Sequence, residues 1–154
     1  MKLVFPRWHT ALGIASMLFV GIQVVPYGRD HANPPVVREP LWASPETGAL
    51  VKRACYDCHS NETRWPSYAK VAPMSWLVQH DVDEGREHLD FSEWHRPQDD
   101  AKEAPEVVRE GEMPLLAYRL IHSGARLTDA EREQLARGLE ATLRTGGGNG
   151  DESR

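Results

Sequence analysis

The chain of 154 residues and 17.4 kDa has room for one ordinary domain and a short additional segment, which excludes an assembly of two large domains. With 40% apolar and 27% charged residues, the composition excludes both a disordered chain and a membrane protein with many spans. The net charge of −5 argues against a nucleic-acid partner, because neutralising phosphates requires a basic surface.

The first 26 residues have the pattern of a membrane or export signal. Lys2 and Arg7 precede an apolar run over residues 10–25, in which Gln23 is the only strongly polar residue. A helix over this run is about 24 Å long, somewhat less than the roughly 30 Å hydrocarbon core, so its length allows a secretory signal or a short anchor. No small-x-small cleavage site follows the run, and we therefore expect residues 1–26 to be an uncleaved transmembrane anchor. The basic residues before the run predict a single pass through the bacterial inner membrane, with the remaining chain in the periplasm.

The rest of the chain divides into three predicted segments. Residues 27–43 are rich in proline and predict an extended tether, part of which packs on the domain through its valines and aromatic rings. Residues 44–144 predict a helical domain, and the glycine-rich residues 145–154 predict a disordered tail. No convincing strand pattern of period two is present, so we predict an all-α fold.

Local signals predict five helices in this domain and a loop over residues 95–104. In chain order, the helices run from Ser44-Pro45 to Cys55, from Pro73 toward Leu89, over residues 105–110 up to Gly111, over residues 115–122, and from the capping box Thr128–Glu131 through Leu135, Leu139 and Leu143.

The chemistry is concentrated in Cys55-Tyr-Asp-Cys58-His59, which has the CxxCH spacing of c-type haem attachment. Two thiols one helical turn apart can each form a thioether with one haem vinyl group, and the histidine that follows can then bind the iron. A thioredoxin-like dithiol would need a βαβ context, and a zinc site would need two further ligands in a compact array. We therefore predict one covalently attached haem c, held by Cys55, Cys58 and His59.

One histidine leaves the second axial position of the iron to be filled. The candidate ligands are methionines and histidines: Met74, Met113, His80, His88, His95 and His122. Met113 is favoured by its setting in Gly111-Glu-Met-Pro114, because the glycine ends the preceding helix and the proline restricts the turn that presents the sulfur. His80 and His88 remain alternatives for this position.

The order of these motifs resembles that of class I cytochromes c, with a CxxCH helix, loops, a Gly-x-Met-Pro segment and a final amphipathic helix. More specifically, the chain resembles a bacterial haem-binding domain family that carries one CxxCH behind an N-terminal anchor. The matching stretches are residues 27–36, 54–63, 71–76 and 111–114. The resemblance implies a haem site at Cys55, Cys58 and His59 with Met113 as the distal ligand, and it implies no particular partner. The long acidic insert between the two iron ligands departs from ordinary class I cytochromes c.

That insert is a candidate docking face. Residues 81–112 contain twelve acidic and four basic side chains. Such a run forms either a solvated surface or a surface that attracts a basic partner.

Three aromatic residues lie before or within the predicted helix that runs from Pro73 toward Leu89. They are candidates for the haem wall or for ordinary core packing: Trp65, Tyr68 and Trp76.

Three functions are compatible with a haem site of this kind. An iron with two protein ligands would carry electrons in the periplasm for an unidentified redox partner protein, and we expect this non-enzymatic function. A haem-based sensor or small-ligand-binding protein would instead have a labile Met113. A peroxidase-like enzyme would need a distal acid–base pair, for which the candidates are His80 or His88 with Glu84 or Glu87.

Overall fold

The computed structural model describes residues 7–146, and over this range the chain forms seven α-helices and no β-strand. The all-α prediction is confirmed. The helices are α1 Arg7–Ile22, α2 Pro45–Ala54, α3 Tyr56–His59, α4 Met74–His88, α5 Ala104–Glu110, α6 Leu116–Ile121 and α7 Asp129–Gly146. Lys2, which the sequence places before the apolar run, and residues 147–154 of the predicted tail lie outside the described residues.

The described chain forms two compact units. The first contains residues 7–32 and 65–81, and the second contains residues 33–64 and 82–146. The division between them falls inside helix α4.

Helix ends agree with the capping signals in the sequence. Ser44 precedes α2 in an extended conformation, and its Oγ accepts a hydrogen bond from the Thr47 amide at 3.2 Å. Gly111 ends α5 with a φ of 75°, in the left-handed region that favours glycine. Thr128 and Glu131 form the predicted capping box, in which each backbone N–H donates to the other residue's side chain, at 2.8 and 3.2 Å.

Within the first unit, helix α1 exposes every side chain from residue 8 to residue 20. Among residues 7–146, no helix is both long and apolar enough to cross a membrane, and α1 has 16 residues. The described helix therefore does not support the predicted transmembrane anchor.

Gln23 joins the end of α1 to the rest of the first unit. Its side chain donates to the Ala72 carbonyl at 2.9 Å and accepts from the Ala72 amide at 3.1 Å. Arg29 donates to the same Gln23 oxygen at 2.9 Å. Gly28 has a φ of 73°, and a Cβ there would collide with the carbonyl oxygen of Ser75. The one strongly polar residue of the apolar run thus pairs with backbone groups of a distant segment.

Residues 27–43 contain no helix, and their second half is bonded within the second unit. The Ser92 carbonyl accepts hydrogen bonds from the amides of Val37 and Arg38, both at 3.0 Å. Trp42 packs against the hydrophobic core, whereas the valines of this segment stay exposed. Of the residues predicted to pack this segment on the domain, Trp42 does so and the valines do not. Backbone hydrogen bonds and side-chain bonds such as that between Glu39 and Tyr56 also hold the segment.

The core of the second unit lies between α2, α5 and α7. Its buried members are Leu50, Val51, Tyr56, Leu89, Phe91, Ala101, Val108, Leu135, Ala136 and Leu139. Helix α7 packs against α5 and α2, with the leucines that the sequence placed on its apolar face directed inward. A glycine at position 138 permits the close crossing of α7 and α2, because a Cβ there would lie 2.7 Å from Cγ2 of Thr47.

This crossing can be tested by adding a methyl group. We expect Gly138→Ala to lower the free energy of unfolding by about 1–3 kcal/mol, since overpacking at a buried contact forces neighbouring atoms apart. Gly124→Ala is the matched control, because a Cβ at Gly124 meets no atom within 4 Å. Denaturant unfolding of the purified protein, followed by circular dichroism, measures both variants. Equal unfolding midpoints for the two variants would contradict the close crossing.

Candidate functional site

The CxxCH turn, residues 55–59, directly follows α2 in the chain. Helix α2 ends at Ala54, and α3 begins at Tyr56. The Cys55 carbonyl accepts from the amides of Cys58 and His59 at 3.1 and 2.9 Å, so the two cysteines lie one helical turn apart. Neither cysteine forms a disulfide. The helical placement that the attachment chemistry requires is present.

Backbone carbonyls fix the orientation of the His59 ring. Nδ1 lies 2.9 Å from the Gly85 carbonyl oxygen and 3.0 Å from that of Leu89. Because a carbonyl only accepts, Nδ1 carries the proton and donates to both oxygens. In a neutral imidazole, Nε2 then keeps its lone pair. A hydrogen bond of this kind on the other ring nitrogen is the usual support of a metal-binding histidine.

The pKa values of His59 and Cys55 are both shifted by burial. Burial lowers the pKa of His59, and the hydrogen bonds to the Leu89 and Gly85 carbonyls offset only part of that effect. The ring is therefore neutral at pH 7. Burial, with a smaller contribution from the neighbouring Cys58, raises the pKa of the Cys55 thiol to about 12. The Cys55 side chain, which packs against the core, is a protonated thiol at neutral pH.

Gly85 allows α4 to reach the CxxCH turn. A Cβ at this position would lie 2.7 Å from the Cys58 carbonyl oxygen and 3.1 Å from the Cys58 Cβ. Only glycine leaves room for this approach, which brings the Gly85 carbonyl within reach of His59. The sequence analysis missed this residue, although an isolated glycine inside a helical pattern is a signal of close packing.

Asp57, between the two cysteines, is a second feature that the sequence analysis missed. Its carboxylate is buried in the second unit and accepts from the Arg64 side chain at 3.0 Å and from the Arg64 amide at 3.2 Å. Its other oxygen accepts from the Tyr118 hydroxyl at 2.5 Å. Burial, followed by this hydrogen bond, raises the pKa of Tyr118, which therefore stays protonated. No local pattern could have paired residues 61 positions apart.

Met113 lies in the segment from Gly111 to Pro114, which we call the Met113 turn. The amides of Glu112 and Met113 both donate to the Val107 carbonyl, at 3.0 and 3.2 Å, so the turn folds back on the end of α5. Met113 is half-buried and packs against the same hydrophobic core as Cys55. The second unit thus contains both the CxxCH turn and Met113, and ligation by the Met113 sulfur stays a prediction.

The histidines predicted as alternative ligands lie on the surface or in local contacts. His80, His88 and His95 are exposed. Nδ1 of His88 lies 2.6 Å from the Asp100 carboxylate, which raises the pKa of His88. The His122 ring stacks on Tyr118 at a centroid distance of 4.2 Å. None of these contacts involves the CxxCH turn.

The aromatic residues predicted for the haem wall belong to the first unit, as does Met74. The Trp65 ring stacks on His31 at a centroid distance of 4.6 Å. The indole nitrogen of Trp76 is buried. The haem-wall role of Trp65, Tyr68 and Trp76 remains a prediction.

Helix α6, which follows the Met113 turn, carries an exposed apolar surface. None of its residues is buried, and Leu116 is 64% exposed. The other large apolar side chains of this surface are Leu115, Leu120 and Ile121. A group of this kind on a small domain usually contacts a ligand or a partner. A flat apolar macrocycle is a suitable ligand, so the chemistry of the residues present fits a haem.

Comparison with known proteins agrees with this chemistry. Residues 17–141 match the family described as a haem-binding domain, and no curated protein and no solved structure matches the chain significantly. The match covers most of the chain and includes the CxxCH turn, all of α4 and the Met113 turn. A match of this length shows that the chain belongs to the haem-binding domain family and that its cofactor is haem. The neutral His59 with its Nε2 lone pair and the two thiols one turn apart agree with this cofactor.

Proposed function

We propose that the protein attaches one haem covalently through Cys55 and Cys58 and transfers electrons, with His59 and Met113 as axial ligands of the iron. The observation that carries this proposal is the His59 ring, because the two carbonyls at Nδ1 leave Nε2 for a metal. Bound haem supplies a one-electron iron couple. Two protein ligands leave the iron no open position for a substrate, so the function is non-enzymatic.

An electron carrier also needs a haem that is held in place, an unprotonated ligand and an iron that is shielded from water. Cys55 and Cys58 hold the macrocycle next to the core of the second unit, where Cys55 packs. Burial of His59 keeps its ring neutral, so no proton competes for the iron-binding nitrogen at pH 7. We expect the exposed leucines of α6 to cover the haem edge and to exclude water from it.

Covalent attachment is tested at the two thiols. We expect Cys55→Ala or Cys58→Ala to leave at most one thioether, and the double variant to lose covalent haem entirely. Denaturing gels stained for haem peroxidase activity, with mass spectrometry of the intact chain, measure the attachment. Met74→Ala is the control and is expected to keep the full stain. Stain that persists in the double variant would rule out attachment at these cysteines.

A haem-based sensor or small-ligand-binding protein is the second candidate function. The observation that favours it is helix α6, which directly follows the Met113 turn and has no buried residue. Such a segment can separate from the unit at low cost in packing, and the iron would then gain an open position. The two functions therefore differ in how firmly Met113 is held.

Met113→Ala distinguishes the two candidates. Because thioether ligation favours the ferrous state, its loss should lower the midpoint potential and remove the weak long-wavelength band of methionine-ligated ferric haem. The variant should also gain affinity for carbon monoxide, while Met74→Ala should leave the spectrum unchanged. An unchanged low-spin spectrum in Met113→Ala would assign the distal position to a histidine such as His80 or His88. Ready binding of carbon monoxide by the unmodified protein would favour the sensor.

We propose further that α1 inserts into a membrane and that the haem-binding part of the chain lies in the periplasm. In support, the side chains of α1 are exposed around its whole circumference, and most of them are apolar. The first residue of α1 is the basic Arg7, and a basic residue before the apolar run is expected for a cytoplasmic N-terminus. The partner in electron transfer is a protein of unidentified nature, and the acidic residues 81–112 would favour a basic surface on it.

Membrane insertion is tested by one charge in α1. We expect Leu18→Arg to shift the protein out of the carbonate-washed membrane fraction, because arginine near the middle of an apolar helix costs about 2.5–3.5 kcal/mol on insertion. Leu41→Arg is the control: Leu41 is also highly exposed, at 83%, but lies in the second unit. Full release of the unmodified protein by osmotic shock would show a cleaved export signal instead. Protease added to spheroplasts should degrade the haem-binding part if it faces the periplasm.

A further inference from the structure

Helix α6 has an unusual attachment to the second unit. It contains no buried residue, so apolar packing contributes little to its position. Its side-chain link to the CxxCH turn is the 2.5 Å hydrogen bond from the Tyr118 hydroxyl to the Asp57 carboxylate. A hydrogen bond with a charged partner is stronger than one between neutral groups, and a buried acceptor strengthens it further.

The acceptor end of this bond is held in place independently of α6. Asp57 is only 8% exposed, and Arg64 donates to it from its Nε at 3.0 Å and from its amide at 3.2 Å. Asp57 also lies within α3, between the two cysteines. The carboxylate is therefore a fixed point on the CxxCH turn, and Tyr118 is the group that engages it.

Helix α6 is also bonded to the Met113 turn. Arg119, the residue after Tyr118, donates to the Gly111 carbonyl at 3.3 Å. Gly111 opens the Met113 turn, and α6 begins two residues after Pro114. Helix α6 thus links the CxxCH turn and the Met113 turn through consecutive residues of one short helix.

We propose that Tyr118 is a positioning residue for the distal side of the haem: its bond to Asp57 holds α6 closed and thereby keeps Met113 at the iron. This inference rests on the proposed function, because it requires Met113 to be the distal ligand. Tyr118 itself binds no iron. It sets the equilibrium between a closed state, with methionine on the iron, and an open state, in which α6 has moved away and the sixth position is accessible.

The test removes one hydroxyl and measures the open state. Tyr118→Phe keeps the ring and its stacking on His122, and removes only the bond to Asp57. Losing a hydrogen bond to a buried charge should shift the closed–open equilibrium by about 10–100-fold toward the open state. Carbon monoxide must displace Met113 from the ferrous iron, so the affinity for carbon monoxide should rise by the same factor. The midpoint potential and the intensity of the methionine–iron(III) band should both fall.

Tyr56→Phe is the matched control. Tyr56 also lies between the two cysteines and donates to a carboxylate, that of Glu39, at 2.7 Å. It is not part of α6, so its change should leave the affinity for carbon monoxide within about twofold of the unmodified protein even if stability falls. An equal rise in both variants would mean general loosening of the unit and would overturn the positioning role.

A variant that combines Met113→Ala with Tyr118→Phe distinguishes failure of the positioning role from failure of the proposed function. In the Met113→Ala background no methionine remains to be displaced, so Tyr118→Phe should have no further effect on the affinity for carbon monoxide. A tyrosine effect that persists there would overturn the inference. If Met113→Ala alone leaves the spectrum unchanged, the proposed ligand is wrong. If Met113→Ala behaves as expected but Tyr118→Phe leaves affinity, potential and band unchanged, the ligand stands and the positioning role of Tyr118 is overturned.

Discussion

The pair of hydrogen bonds from His59 Nδ1 to the carbonyls of Gly85 and Leu89 is the constraint on which the proposed haem site depends. It sets the tautomer, the ring plane and the direction of Nε2 at once. The glycine in the C-terminal part of α4 belongs to the same arrangement, because a side chain at position 85 would collide with the backbone of Cys58. A cost in helix propensity of about 1 kcal/mol is accepted there for the close approach of two helices. The orientation of the His59 ring is thus set by backbone groups, which cannot rotate away as side chains can.

Local signals in the sequence were sufficient for the helix ends and for the CxxCH turn. The hydroxyl of Ser44, the left-handed Gly111 and the Thr128–Glu131 box each act within four residues, so their consequences could be predicted without the fold. Contacts between distant segments could not. The pairing of Gln23 with Ala72 spans 49 residues, and nothing in the apolar run predicts that its one strongly polar side chain binds the backbone of Ala72.

For the acidic run, residues 81–112, the sequence likewise predicted the charge but not the contacts. Its charge was evident from the sequence, but the uses of individual carboxylates were not. Asp90 is buried, its pKa is raised by that burial, and it accepts from the Ser92 amide at 2.8 Å. Asp100 pairs with His88, and Glu93 pairs with Arg96 at 2.7 Å. Part of the run therefore serves local structure, and only the remaining exposed carboxylates are available for a docking surface.

The two sides of the proposed haem site differ in how they are held. On the proximal side, His59 is fixed by two carbonyls of α4 and its C-terminal turn, next to a core that includes Leu89. On the distal side, the segment that follows Met113 is a helix with no buried residue, linked to the CxxCH turn by one tyrosine hydroxyl. Any exchange of ligands at the iron should therefore occur on the distal side, while His59 stays bound. In the proposed scheme, an electron carrier and a small-ligand sensor can share this fold, because they differ in the free energy of closing α6. If Tyr118 positions Met113 as proposed, the strength of its bond to Asp57 sets the balance between the two functions.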